Sequence, residues 1–189
     1  MLNYKNEKIT FLFIKIIPAL INKIRNMFFS YIFKTTRLKV GKNISLCGTK
    51  NITIGNNVLL GNQTWLDCIG NGRINIGDNV SFSQNVHIAA NSFVRIGSGC
   101  LIGSDVLITD HDHSYGKNFT NIMPKNRILK TKGSTEIGEN SWISDNVKIL
   151  SGVKLGSNIV VAANSVVTHD FPSNVVIGGI PAKILKTFE

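Results

Sequence analysis

A parallel β-helix is the fold encoded by this chain of 189 residues. A short phrase recurs from residue 38 onward, aliphatic positions inside it repeat every six residues, and the residue four places after each aliphatic is small or β-branched. The phrase reads LKVG at 38–41, ITIG at 52–55, INIG at 74–77, VRIG at 94–97, TEIG at 135–138 and VKLG at 153–156. Self-similarity of this kind marks a solenoid.

The hexads open with Ile54, Leu60 and Leu66, then Ile76, Phe82 and Ile88, then Ile96, Ile102 and Ile108, then Ile137, Ile143 and Ile149, then Leu155, Val161 and Val167. A period of six fits neither an α-helix nor a long alternating strand, but it suits very short strands joined by tight corners. Three hexads make one triangular coil. The opening aliphatic points inward, and Val58, Val80, Val86, Ser92, Cys100, Val106, Ser141, Val147 and Ser165 are expected to fill the corners. Gly and Asn cluster after the opening residue, where turns need positive φ. Stacked coils bury an aliphatic column that no single coil could bury. The body is therefore all-β, of about six coils over residues 38–187.

Unit starts fall at positions 40, 54, 76, 96, 137 and 155, and the step from Ile96 to Ile137 is far longer than three hexads. The surplus is a loop insertion at 109–134. A loop of this length inside a regular body is usually functional when it is not disordered.

Residues 1–37 form an arm of different character. Up to residue 39 the chain holds eight Lys or Arg against one acid, Glu7, and so carries seven of the ten net positive charges. Phe13, Ile16, Ile17, Leu20, Ile24, Met27, Phe28 and Tyr31 recur at helical spacing, with Lys15, Asn22, Lys23, Arg25 and Asn26 between them. The pattern predicts a basic amphipathic helix lying on the domain or on an anionic membrane face. Its apolar run, broken by Lys15 and Pro18, is too short to span a bilayer and carries no export-type cleavage site. Three scattered cysteines, Cys47, Cys68 and Cys100, suit neither a disulfide scaffold nor a zinc site and fit a reducing cytoplasm.

The long loop opens with ITDHDHSY at 108–115, which holds two of the chain's four histidines. A neutral imidazole can take a proton from an attacking hydroxyl or amine, and a carboxylate can orient the ring. His and Asp are also metal ligands, and His87 lies about one coil from His111 and His113, so a zinc site of the gamma carbonic anhydrase type is an alternative. A purely structural loop, with Asp110 and Asp112 capping backbone N–H groups, is a third.

The C-terminal stretch NSVVTHDFPSNVVIGGIPAKIL at 164–185, together with the hexads, resembles the hexapeptide-repeat acyltransferases that use acetyl-CoA, over residues 38–187. The resemblance implies a left-handed β-helix, a homotrimer with the donor in a cleft between subunits, and acetyl transfer to a carbohydrate hydroxyl in capsule, O-antigen or exopolysaccharide synthesis. An amino-sugar or antibiotic-like amine is the rival acceptor. By the same resemblance His113 is the general base, with His111 in reserve and Asp112 as candidate orienting acid. Trp142 stands near the thioester, Asp145 and Ala163 along the pantetheine arm, and Thr168, His169, Lys183 and Lys186 toward the nucleotide end. Ser83, Asn85 and Asn91 fall at acceptor positions. Ser144 and His169 depart from the commoner Gly and Lys of that family. No metal is required.

Overall fold

The computed structural model describes residues 9–188, and side chains from residue 14 onward apart from residue 15. Residues 1–8 of the arm, and the side chains of Phe13 and Lys15, lie outside the described residues. The body is a parallel solenoid with three faces: an eight-stranded, a six-stranded and a five-stranded sheet, joined at corners. Strands in the body are two to five residues long, as a six-residue period demands.

Register follows the sequence spacing. Along the six-stranded sheet Trp65 pairs with His87, His87 with Leu107, Leu107 with Lys148 across the loop insertion, and Lys148 with Val166. The phrase LKVG, however, is out of phase with the rest. Val40 pairs with Leu60 on the eight-stranded sheet, whereas Ile54 pairs with Ile76 on the five-stranded one. The short first interval thus compares two different faces, and the eight-stranded sheet holds seven parallel levels rather than six.

The column inside is aliphatic throughout: Leu60, Leu66, Ile88, Ile102, Ile108, Ile143, Ile149 and Val161 are fully buried. Each such side chain stabilises the fold by about 1.5–3 kcal/mol. The corner residues are buried as expected, with one exception, Ser92, which is exposed. At that corner a carboxylate from the next level takes over, as described below.

Glycine and asparagine divide the corner work differently from the expectation. Positive φ belongs to Asn57, Asn79, Asn85, Asn140, Asn146, Asn158 and Asn164, not to the glycines of the recurring phrase. Successive asparagines also bond between levels, Asn57 to Asn79 at 2.8 Å and Asn146 to Asn164 at 2.8 Å. The glycines of the phrase instead permit close stacking, a Cβ on Gly41 lying 2.4 Å from Asn62 N, and Gly61 outside the phrase does the same, with a Cβ 1.7 Å from the Ser83 carbonyl oxygen.

Both ends are closed. The helix Ile9–Ile32 crosses the first level, where the Asn26 side chain accepts the Val40 N–H at 2.9 Å and Arg25 donates to the Val40 carbonyl at 2.5 Å. Phe29 and Phe33 pack against the core beneath it. These contacts occupy a strand edge that would otherwise template aggregation. At the far end Ala182–Thr187 folds back antiparallel on Val175–Gly179.

The two corner roles differ in their consequences for mutation. Gly61→Ala must push adjacent backbones apart and is expected to lower the unfolding temperature steeply. Asn79→Gly keeps the left-handed geometry, loses one inter-level hydrogen bond, and is expected to cost about 1 kcal/mol. Thermal unfolding of the two variants checks the order.

Candidate functional site

Within the solenoid, N–H groups of one level donate to carbonyls of the next: Arg73 N–H bonds to Ser92 O at 3.0 Å, and His87 N–H to Val106 O at 2.9 Å. After Asp110 the chain leaves the body, so the corner at Asn91–Phe93 faces no backbone above it. The Asp110 side chain fills the vacancy. Its Oδ1 accepts Asn91 N–H at 2.8 Å, and its Oδ2 accepts Ser92 and Phe93 N–H, each at 2.7 Å. The carbonyls of Thr109 and Asp110 are taken by hydroxyls of the resumed coils, Thr135 at 3.0 Å and Ser151 at 2.6 Å.

Asp110 is wholly buried, at 0% exposure. Burial pushes its carboxyl upward, but the His111 hydrogen bond and the three amides outweigh burial and hold it below its ordinary value of 3.8. It is a buried, ionised carboxylate with every partner assigned.

His111 is the remaining partner: its Nδ1 stands 3.0 Å from Asp110 Oδ1 and 3.2 Å from Thr109 Oγ1. With an anion at Nδ1 the proton is assigned to that nitrogen, which leaves a lone pair on Nε2. The acid on the His111 ring is therefore Asp110, a residue that the resemblance did not single out. Asp112 belongs instead to the first strand of the loop, opposite Lys130, and faces the loop's own cavity.

The long loop has structure of its own. His111–His113 pairs antiparallel with Leu129–Thr131, and two short 3-10 turns, Lys117–Phe119 and Pro124–Asn126, lie between. His113 is exposed and lines a cavity of about 280 Å³ with Asp112, Ser114, Tyr115, Phe119, Lys130 and Lys132.

Below His111 the six-stranded sheet presents His87 with two groups that the motif reading missed, Trp65 and Asp67. Trp65 and His87, in register on successive levels, stack with centroids 4.0 Å apart and an interplanar angle of 6°. Asp67 pairs with Ala89, and Ala89 with Thr109, so an acid, a methyl and the hydroxyl beside His111 form one outward column. Burial lowers the pKa of His87, Asp67 opposes this, and His111 adds to it. His87 is held toward its neutral form within electrostatic reach of His111, and its Nε2 is buried without a partner among the described residues. Spacing carried a signal for this patch: Trp65 and His87 are separated by the same interval as Ile54 and Ile76.

The other sequence candidates divide among several edges. Asn91 sits at the Asp110 corner, one level below it. Ser83 and Asn85 lie at the opposite edge of the six-stranded sheet, where Asn85 bonds Asp105 at 2.6 Å across levels. Asp145 and Ala163 share that opposite edge in successive levels, and the Asp145 carboxylate is engaged by Ser104 N–H at 2.6 Å. Trp142 stands half exposed on the eight-stranded sheet. Thr168 and His169 occupy the last corner, with His169 tilted against Phe171 at 4.5 Å, and Lys183 and Lys186 project from the exposed tail strand. One chain thus brings Asp110, His111, Asn91 and the Trp65–His87 patch together but leaves Ser83, Asn85 and the residues expected on the donor side on other edges. Among the described residues no group of three or more His, Cys, Asp or Glu side chains is arranged to hold a metal ion.

A family model described as bacterial transferase hexapeptide (six repeats) matches residues 134–169. An Escherichia coli K12 protein named for lipopolysaccharide biosynthesis O-acetyl transfer, WbbJ, is 41% identical over 143 residues, 73% of this chain and 72% of its own length. Galactoside O-acetyltransferase of the same strain is 31% identical over 153 residues, 78% of this chain and 70% of its own. A hexapeptide-repeat containing acetyltransferase from Vibrio cholerae, solved with acetyl coenzyme A, aligns with a TM-score of 0.54 at 31% identity over 69% of this chain and 70% of that one. A mutant N-acyltransferase from Bacillus cereus, solved with dTDP-4-amino-4,6-dideoxyglucose and coenzyme A, gives a TM-score of 0.71 over 82% of each chain. At 19% identity that likeness is one of fold.

Because the folded Asp110 carboxyl lies below its ordinary value, its stabilising contribution is complete above the unfolded carboxyl range and is lost as pH falls through the folded value. Asp110→Ala is expected to destabilise at neutral pH by about 1–3 kcal/mol for each orphaned amide. It should also flatten the loss of stability as pH falls from the ordinary carboxyl range through the lowered folded value. Denaturant unfolding across that range checks both; equal acid slopes in the two proteins would place the acid sensitivity elsewhere.

Proposed function

We propose, from the premise that the chain belongs to the hexapeptide-repeat acetyltransferases, that it transfers acetyl from acetyl-CoA to a hydroxyl of a carbohydrate acceptor during surface-polysaccharide synthesis. The observation that carries the reading is the Asp110–His111 pair at the mouth of the one long loop. Support for a hydroxyl over an amine comes from the relatives at 41% and 31% identity, both named for O-acetyl transfer.

His111, rather than His113, is the base in this reading. Its Nε2 takes the acceptor's proton, and the Asp110 carboxylate holds the ring in one tautomer and steadies the imidazolium. Acetyl-CoA supplies an acetyl group already activated as a thioester. The residues present suit such a donor: Lys183 and Lys186 are exposed cations for its phosphates, and Ala163 and Asp145 line one edge in successive levels. Trp65 offers an aromatic face to a sugar ring, with the Asp67 carboxylate beside it to accept sugar hydroxyls. Asn91 lies at the same corner.

Donor-side and base-side residues stand on different edges of one chain, which favours a site completed by a neighbouring copy in a homotrimer. The outward column of the eight-stranded sheet, with Leu59, Leu101 and Trp142 exposed, is apolar enough to form that contact. The outward column of the five-stranded sheet, Thr53, Asn75, Arg95, Glu136 and Lys154, is polar and suits solvent. Sedimentation is expected to give close to three times 20.7 kDa; an active monomer would defeat the shared site.

A second reading has its own observation, since His113 and not His111 lines the loop cavity. Single variants separate the two. His111→Ala is expected to lower kcat by about 10² to 10⁴ with little change in affinity for acetyl-CoA, and His113→Ala far less. The reverse order would make His113 the base. Trp65→Ala should raise KM for the acceptor and leave that for acetyl-CoA unchanged. Products scored against an oligosaccharide panel should be labile to alkaline hydroxylamine, as esters are; a resistant amide product would overturn hydroxyl transfer.

A further inference from the structure

The helix Ile9–Ile32 is attached to the body by a polar seam, Arg25 and Asn26 on Val40, with Phe29 and Phe33 beside it. Its apolar arc points the other way. Ile17, Leu20, Ile24, Met27, Phe28 and Tyr31 recur three and four residues apart, and each is between 58% and 84% exposed. An apolar helix face of this kind, contiguous over several turns, marks a contact site rather than ordinary surface. The sequence left open whether the arc faces the domain; the fold turns it outward.

We propose that this face is an anchor that lies in the surface of an anionic bilayer. Charge selects the occupant. The helix contains no Asp or Glu, Lys23 is exposed on it, and Lys34 and Arg37 stand exposed just beyond its end. A second copy would bring the same basic arm, eight Lys or Arg against Glu7 alone, against its like. An anionic lipid surface instead attracts each of those cations while receiving the apolar side chains. No helix among the described residues is long and apolar enough to cross a membrane, so the helix lies along the interface, about 36 Å long at 1.5 Å per residue. The seam on Val40 then holds the solenoid against the membrane by its first level. The inference is independent of the acetyl acceptor.

The test is co-sedimentation of the full chain with phosphatidylcholine vesicles prepared with and without phosphatidylglycerol. Binding is expected to the anionic vesicles, to be weaker on the neutral ones, and to decline as salt is raised. Ile24→Glu/Phe28→Glu should reduce it by about tenfold or more, with the unfolding temperature and sedimented mass of the protein unchanged, since neither side chain is in the core. Failure of the wild-type protein to bind, or equal binding by the variant, would overturn the proposal. So would a variant whose sedimented mass falls, because the face would then belong to a second copy.

Discussion

Hydrogen bonding between levels is the constraint on which this molecule depends. Each coil is too short to pair with itself, so its N–H groups find their carbonyls on the next level up. The glycines that let backbones approach, the asparagines that turn corners in the left-handed region, and the helix on Val40 all serve that ladder. Where the chain leaves the body after Asp110 the ladder would be broken at three amides. A single carboxylate repairs it, and by being there it becomes the anion beside His111. Repair of the ladder and orientation of the imidazole are one event at this corner.

That coincidence accounts for the electrostatics. A buried carboxylate without partners would be protonated; here four hydrogen-bond donors keep it charged in a place water cannot reach. Its field is spent locally, on the amides and on one imidazole. His87, a level below and stacked on Trp65, is pushed the opposite way by burial and stays toward neutrality. Two histidines on adjacent levels thus stand in different electrical surroundings, and only His111 has an acid within hydrogen-bonding distance.

Much of this is written in the spacing. From Ile54 onward the intervals between successive unit starts are the strand register itself, and the one long interval locates the loop between Leu107 and Lys148. Phase was harder: LKVG looks like its successors but begins on another face, because the first coil starts midway round. Glycine and asparagine look interchangeable as corner residues, yet one answers a steric demand between levels and the other a dihedral demand within one. Asp110 and Asp112 are equivalent in a motif. Only the vacancy at Asn91–Phe93, a fact about the level below, distinguishes them. Trp65 and Asp67 carry no motif and become visible once His87 is set in register beside them.

Stacking by levels also fixes distance in units. From Leu46 at the capped end the column runs through Leu66 and Ile88 to Ile108, three steps of about 4.8 Å. The His111 corner therefore stands about 14 Å along the axis from the level that the N-terminal helix covers. Neither loop changes nor repacking can tune that separation continuously. It is changed only by inserting or deleting a whole coil, so the height of the His111 corner above the capped end is an integer property of the sequence.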